Sequence, residues 1–84
     1  MEVYRLEMMQ KRKALLVFDQ RVDSLKEDGY RLLFKSTGDI PDVWFASLRH
    51  RNGNRVTLAA YWKRNRLVQR TNGIVTHEGS LYQP

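Results

Sequence analysis

The hydrophobic periodicity of this chain changes at Gly29, and this change limits the fold more than any other feature. Before Gly29, apolar residues recur three, four or seven positions apart, as on one face of an α-helix. After Gly29 they alternate in short runs separated by turn residues, as in antiparallel strands. The sequence therefore predicts an α+β fold with one N-terminal amphipathic helix packed on a 4–5-stranded antiparallel meander sheet.

The predicted helix occupies residues 1–29, and Gly29 is expected to end it because glycine accepts left-handed backbone conformation. Lys11 is the one charged residue in its apolar stripe. Alternation over residues 2–8 leaves a short N-terminal strand as an alternative to a continuous helix, which we favour. An apolar stripe also suits a homodimer formed through the helix. The stripe comprises Tyr4, Met8, Leu15, Phe18, Val22 and Leu25.

The rest of the chain reads as a β-meander over residues 30–78. Asn-Gly pairs at 52–53 and 72–73 are strong hairpin signals, and residues 38–42 have loop composition. The tail, 79–84, is expected to be loose, although Leu81 or Tyr82 could dock. At this length, residues 1–84 are expected to form a single domain. Strands are predicted at 30–36, 43–50 and 55–63, followed by RLVQRT and IVTHE around the second Asn-Gly pair.

The register of the central hairpin decides which side chains face the helix. A three-residue loop at 52–54 would pair Arg51 with Arg55 and make one face of the sheet entirely apolar. A loop of two or four residues would bring Ser47 and Arg49 onto that face, so we expect the three-residue loop. The predicted apolar face consists of Trp44, Ala46, Leu48, Val56, Leu58, Ala60 and Trp62.

The positive charge of the chain lies in its second half. The net charge is +6, but residues 1–29 contain six basic and six acidic side chains, so they contribute none of it. Residues 43–77 contain seven basic side chains and no acidic one. This asymmetry predicts an anionic partner for the sheet rather than for the helix.

On the face of the sheet opposite the apolar one, Phe45 and Tyr61 alternate with Arg and Lys. Aromatic rings can stack on exposed bases while cations contact phosphates, so the leading prediction is a small basic nucleic-acid-binding or accessory module for RNA or single-stranded DNA. The hairpin at 49–55 would add a cationic finger. The candidate nucleic-acid-binding residues are Phe45, Arg49, Arg51, Asn52, Arg55, Tyr61, Lys63, Arg64, Arg66 and Arg70.

Two other classes of function remain open. The chain could be a protein-interaction or assembly module, either a homodimer or an adaptor whose basic face binds an acidic protein. It could also be a small metal-independent ribonuclease using His50, or His77 with Glu78, for acid–base chemistry. Because the sequence contains no catalytic motif, we expect a non-enzymatic protein.

The residues that are missing exclude several chemistries. With no cysteine, the chain cannot form disulfides, thiolate metal sites or thiol-based active sites. The two histidines lack metal-ligand spacing and there is no Gly-rich phosphate loop, so no metal or cofactor is expected. No apolar run is long enough to span a bilayer and no signal peptide is evident, which favours a cytoplasmic location without membrane binding.

Overall fold

The computed structural model describes residues 2–83 and confirms the predicted α+β fold. One long helix precedes a five-stranded sheet of order β1-β2-β3-β4-β5, in which every neighbouring pair is antiparallel. The elements are α1 (Glu2–Glu27), β1 (Tyr30–Ser36), β2 (Val43–His50), β3 (Arg55–Tyr61), a single 3₁₀ turn (Trp62–Arg64), β4 (Arg66–Thr71) and β5 (Ile74–Gly79).

α1 is continuous from its first described residue, so the alternative of a strand at residues 2–8 is not observed. The helix ends as predicted, because the N–H of Gly29 donates to the carbonyl of Lys26 at 3.0 Å and Gly29 has a φ of +96°. Within the described residues, no helix combines the length and the apolar character that crossing a membrane requires.

The core lies between α1 and one face of the sheet. From Ala14 onward the apolar stripe of the helix is buried, and the rings of Phe18 and Trp44 are 6.0 Å apart. Lys11 lies where the stripe reaches the edge of this core, with its Nζ 5.6 Å from the centre of the Trp62 ring. The charged position in the stripe is therefore accommodated by a cation–π contact.

The predicted apolar face of the central hairpin is correct, but the predicted pairing is wrong by two residues. Arg49, not Arg51, is opposite Arg55. The loop consists of residues 51–53 and is closed by the N–H of His50, which donates to the carbonyl of Asn54 at 2.8 Å. Gly53 has a φ of +98°, which fits the last position of a three-residue hairpin loop. Because the shift is an even number, each side chain keeps its predicted face.

β3 is shorter than predicted, which moves Lys63 off the sheet. The strand ends at Tyr61, and a 3₁₀ turn follows that ends at Asn65 in left-handed conformation. Lys63 instead contacts Asp42 at 3.3 Å and lies 5.7 Å from the centre of the Trp62 ring. The expectation that Lys63 belongs to a cationic sheet face is therefore wrong.

The tail from Gly79 is packed rather than loose over its described residues. Leu81 is 2% exposed and belongs to the core. The Oδ1 of Asn65 accepts the backbone N–H groups of Leu81 and Tyr82, both at 2.8 Å, and the Tyr82 hydroxyl donates to the carbonyl of Trp62 at 2.7 Å. The side chain of Asn65 thus accepts hydrogen bonds from the backbone of the tail. Residue composition alone does not predict this contact.

Candidate nucleic-acid interface

α1 covers one face of the sheet, and no described element covers the other, which we call the outer face. Directly opposed residues form rows across it, because alternate residues of a strand share a face. The four rows, from the end near Gly29, are Arg31, Arg49 and Arg55; Phe34, Ser47, Thr57, Arg70 and Val75; Ser36, Phe45, Ala59, Val68 and Glu78; and Val43, Tyr61 and Arg66.

The first row, which we call the arginine row, places three guanidinium groups on adjacent strands. Arg31 is opposite Arg49, and Arg49 is opposite Arg55, so the Cα atoms are about 5 Å apart across each pair. All three side chains are exposed, and among residues 2–83 no carboxylate lies within 4 Å of them. Like charges directly opposite each other destabilise a sheet. Binding of an anion would remove this repulsion.

A depression of about 550 Å³, which we call the arginine cleft, lies at the same end of the sheet. Its lining residues come from the helix–strand turn, from β1 and β2, and from the 51–53 loop. Three guanidinium groups therefore surround one open cavity, where their planar donor groups match the oxygens of phosphate. The cleft is lined by Gly29, Arg31, Arg49, His50 and Arg51.

The imidazole of His50 is held in place within this cleft. Its Nδ1 accepts the backbone N–H of Asn52 at 3.1 Å, and its ring meets the ring of Tyr30 edge to face at 5.1 Å. A neutral imidazole that accepts through Nδ1 carries its proton on Nε2. The ring therefore offers a hydrogen-bond donor on the side that lies next to Gly29.

The aromatic residues predicted to stack on bases lie on the outer face as expected. Phe45 and Tyr61 are both partly exposed, and they are diagonal neighbours, since Phe45 is opposite Ala59 and Tyr61 is opposite Val43. Phe34 adds a third ring on β1 and is 56% exposed. Phe34 thus lies in the row next to the arginine row, whereas Phe45 and Tyr61 lie in the third and fourth rows.

A second depression, of about 520 Å³, lies on the outer face over β3, β4 and β5. Arg66 forms an ion pair with Glu78 there, which reduces its positive charge. Arg64 and Arg70 have no carboxylate within 4 Å among the described residues. This depression is lined by Tyr61, Arg64, Arg66, Val68, Arg70, Val75 and Glu78.

In the 51–53 loop, the side chain of Asn52 forms a hydrogen bond within the hairpin and is not free to recognise a base. The Oδ1 of Asn52 accepts the backbone N–H of Asn54 at 2.9 Å, so a bidentate contact with adenine would break this bond. The Nδ2 of Asn72 donates to Asn54 Oδ1 at 3.1 Å, so the two Asn-Gly turns lie at the same end of the sheet. Arg51 remains exposed and unpaired with any described acid.

Sequence reasoning missed Arg31 and Phe34. A bulge between Leu32 and Phe34 breaks the alternation of β1 and places both residues on the outer face. The run of three apolar residues at 32–34 was the available signal, because a strand with one solvated face ordinarily alternates.

The candidate acid–base residues are not brought together. His50 is on β2 and His77 is on β5, with β3 and β4 between them, so the strands are about 14 Å apart. His77 is opposite Gln69. Within the described part of the chain, no three His, Asp or Glu side chains are grouped closely enough to hold a metal ion.

Comparisons with known proteins add no functional assignment. No protein-family model matches the sequence, and no curated protein or solved structure matches the chain. The chemistry of the outer face is therefore the basis for assigning a function.

We predict that Arg49→Gln stabilises the fold at low ionic strength, because Arg49 has a like charge on both sides. The expected gain in the free energy of unfolding is about 0.5 kcal/mol. It should shrink in 1 M salt, where the screening length falls to about 3 Å. Urea unfolding measures it, with Arg12→Gln on α1 as the control. A destabilised Arg49→Gln protein at both salt concentrations would contradict the repulsion.

Proposed function

We propose that this protein is a small module that binds single-stranded nucleic acid on its outer face. The observation that supports this proposal best is the arginine row, which lacks an acidic partner among residues 2–83 and is next to the exposed ring of Phe34 on the same face. A sheet face left open by its own chain, with cations and rings side by side, suits a ligand that has both phosphates and bases.

Phosphate contacts would supply most of the affinity. The guanidinium groups of the arginine row and of Arg70 point to the same face, and each can form two parallel charge-assisted hydrogen bonds to phosphate oxygens. Glu78 is the one acid in the four rows, and its ion pair with Arg66 keeps it away from the arginine row. Binding should therefore weaken steeply as salt is added.

Base contacts would come from the rings. Phe34, Phe45 and Tyr61 are each at least partly exposed, and stacking of a base on such a ring contributes about 1–3 kcal/mol. Between the rings the face carries small side chains such as Ser47 and Thr57. Their size leaves room for a flat base to approach the sheet.

The geometry favours a single strand over a duplex. Reading a duplex groove requires a protruding element, and the hairpin loop here has three residues with Asn52 bonded inside it. In a duplex the base faces are stacked on one another, whereas in a single strand they are available to Phe45 and Tyr61. Stacking of bases on the sheet would therefore contact more of the outer face than insertion of the hairpin loop into a duplex groove would.

We expect that removing the arginine row weakens binding more than removing the same number of positive charges from the helix does. In a titration with labelled ten-nucleotide RNA and DNA strands, Arg31, Arg49 and Arg55 are changed together to Gln. We expect at least tenfold weaker binding, and a slope of log affinity against log salt that is smaller by about 2, because three phosphate contacts are lost.

The matched control removes the same charge from the helix. Arg5, Arg12 and Lys13 are exposed on α1, which packs on the opposite face of the sheet, and they are changed together to Gln. This variant should bind within about threefold of the unchanged protein. Equal losses in both variants would mean that binding follows net charge alone. If no strand binds at low salt, the cationic face is more consistent with an acidic protein partner.

A second candidate function is assembly with another copy through the first turns of α1. The apolar stripe after Ala14 packs in the core and is not available to a partner. The predicted dimer surface is therefore restricted to the first turns of α1. Val3, Leu6 and Met9 are 72%, 58% and 53% exposed on the early helix. Clustered exposed apolar side chains are typical of protein interfaces.

For this second candidate, light scattering across a range of protein concentrations should show a monomer–dimer equilibrium. Leu6→Glu with Met9→Glu should shift it to monomer, because the two carboxylates would have to be buried without partners. Leu16→Glu, at an exposed position further along α1, serves as the control. A monomer at every concentration of the unchanged protein would contradict assembly through α1.

A further inference from the structure

We propose that the arginine cleft binds a terminal phosphate of the strand held on the outer face. This inference rests on the proposed function. It assigns to the cleft the phosphate at one end of the nucleic-acid strand, which is a phosphomonoester, rather than a phosphodiester from within the strand. Three features of the cleft support it, namely its charge, its position and its rigidity.

The charge of the cleft matches a phosphomonoester. Arg31, Arg49 and Arg51 bring three positive charges to one depression, and no carboxylate of residues 2–83 lies within 4 Å of them. An internal phosphodiester carries one negative charge. A phosphomonoester carries about −1.5 to −2 near neutral pH and has three free acceptor oxygens. It can therefore engage more of the guanidinium donors at once.

The cleft lies where a bound strand would end. The arginine row is the row of the outer face nearest Gly29, and beyond it β2 and β3 close in the 51–53 loop while β1 begins at the helix–strand turn. Gly29 of that turn and Arg51 of that loop line the cleft. A nucleic-acid strand that runs parallel to the β-strands, from the fourth row to the arginine row, therefore reaches this cavity at the boundary of the face.

The wall of the cleft is fixed around His50. A Cβ at Gly29 would be 2.8 Å from His50 Nε2, so any side chain there would displace the imidazole. Gly29 also has a φ of +96°, which other residues rarely adopt. The hydrogen bond from Asn52 holds Nδ1, and this leaves the Nε2–H at the cleft side of the ring as a further donor. The His50 donor is thus positioned before a ligand arrives.

The test compares ten-nucleotide single strands of one sequence that differ only at their ends. One strand carries a 5′-phosphate, one a 3′-phosphate, and one has hydroxyl groups at both ends. We expect one of the two phosphorylated strands to bind about tenfold tighter than the hydroxyl-ended strand, because two to three charge-assisted hydrogen bonds are added. Which phosphate is preferred would give the direction of the strand.

Two single variants locate the effect. Arg51→Gln lies in the cleft but outside the arginine row, so it should weaken binding of the phosphorylated strand several-fold more than binding of the hydroxyl-ended strand. Arg64→Gln lies at the opposite end of the outer face and should leave the preference unchanged. Loss of the preference in Arg64→Gln as well would overturn the assignment to the cleft.

The remaining outcomes separate this inference from the proposed function. Equal affinity for all three strands would overturn the terminal-phosphate site while leaving single-strand binding intact. Failure of every strand to bind would contradict the proposed function itself. Inorganic phosphate provides the last arm: if it binds the unchanged protein as tightly as the phosphorylated strand does, the cleft is a site for free phosphate and the inference is wrong.

Discussion

One helix can cover only one face of a five-stranded sheet, and the rest of this structure follows from that constraint. Phe18 and its neighbours on α1 pack on the face that contains Trp44, Leu48 and Leu58. Burying this face fixes the register, because a slip by one residue would bring Ser47 and Arg49 into the core. The outer face is consequently left open. Packing against another element of the chain therefore does not determine which residue types it carries.

The arrangement of charge on the outer face is costly for the isolated fold. Three arginines on adjacent strands repel one another, whereas Lys35, Lys63 and Arg66 each have an acidic partner. A local arrangement that opposes stability is expected at functional sites. An anionic ligand on this face would convert the repulsion into binding energy, which is why the arginine row supports the proposed function better than the net charge does.

Much of the fold could be predicted from the sequence, because periodicity and turn residues are local signals. The helix, its end at Gly29, both Asn-Gly hairpins and the apolar face of the sheet followed from such patterns. The pairing of the central hairpin was wrong by two residues, since the loop position of Gly53 depends on backbone conformation that composition does not fix. Phe45 and Tyr61 keep their predicted face because that error was even.

The site was predicted less completely, for reasons of tertiary structure. The bulge in β1 brings Arg31 and Phe34 onto the outer face, and no simple alternation shows this. Lys63 lies outside the sheet because β3 ends at Tyr61 and a 3₁₀ turn follows. The tail is fixed by hydrogen bonds to the side chain of Asn65, a residue sixteen positions before Leu81. Contacts at such separations depend on how β4 and β5 pair, and local sequence patterns do not show this.

The most direct test of the central claim is an NMR titration that follows the Nε–H signals of the arginines while a single-stranded decanucleotide is added. We predict that the signals of Arg31, Arg49 and Arg55 shift or broaden first, while those of Arg5 and Arg12 on α1 stay unchanged. Shifts confined to the helix arginines, with the arginine row unaffected, would contradict the assignment of the outer face as the binding surface.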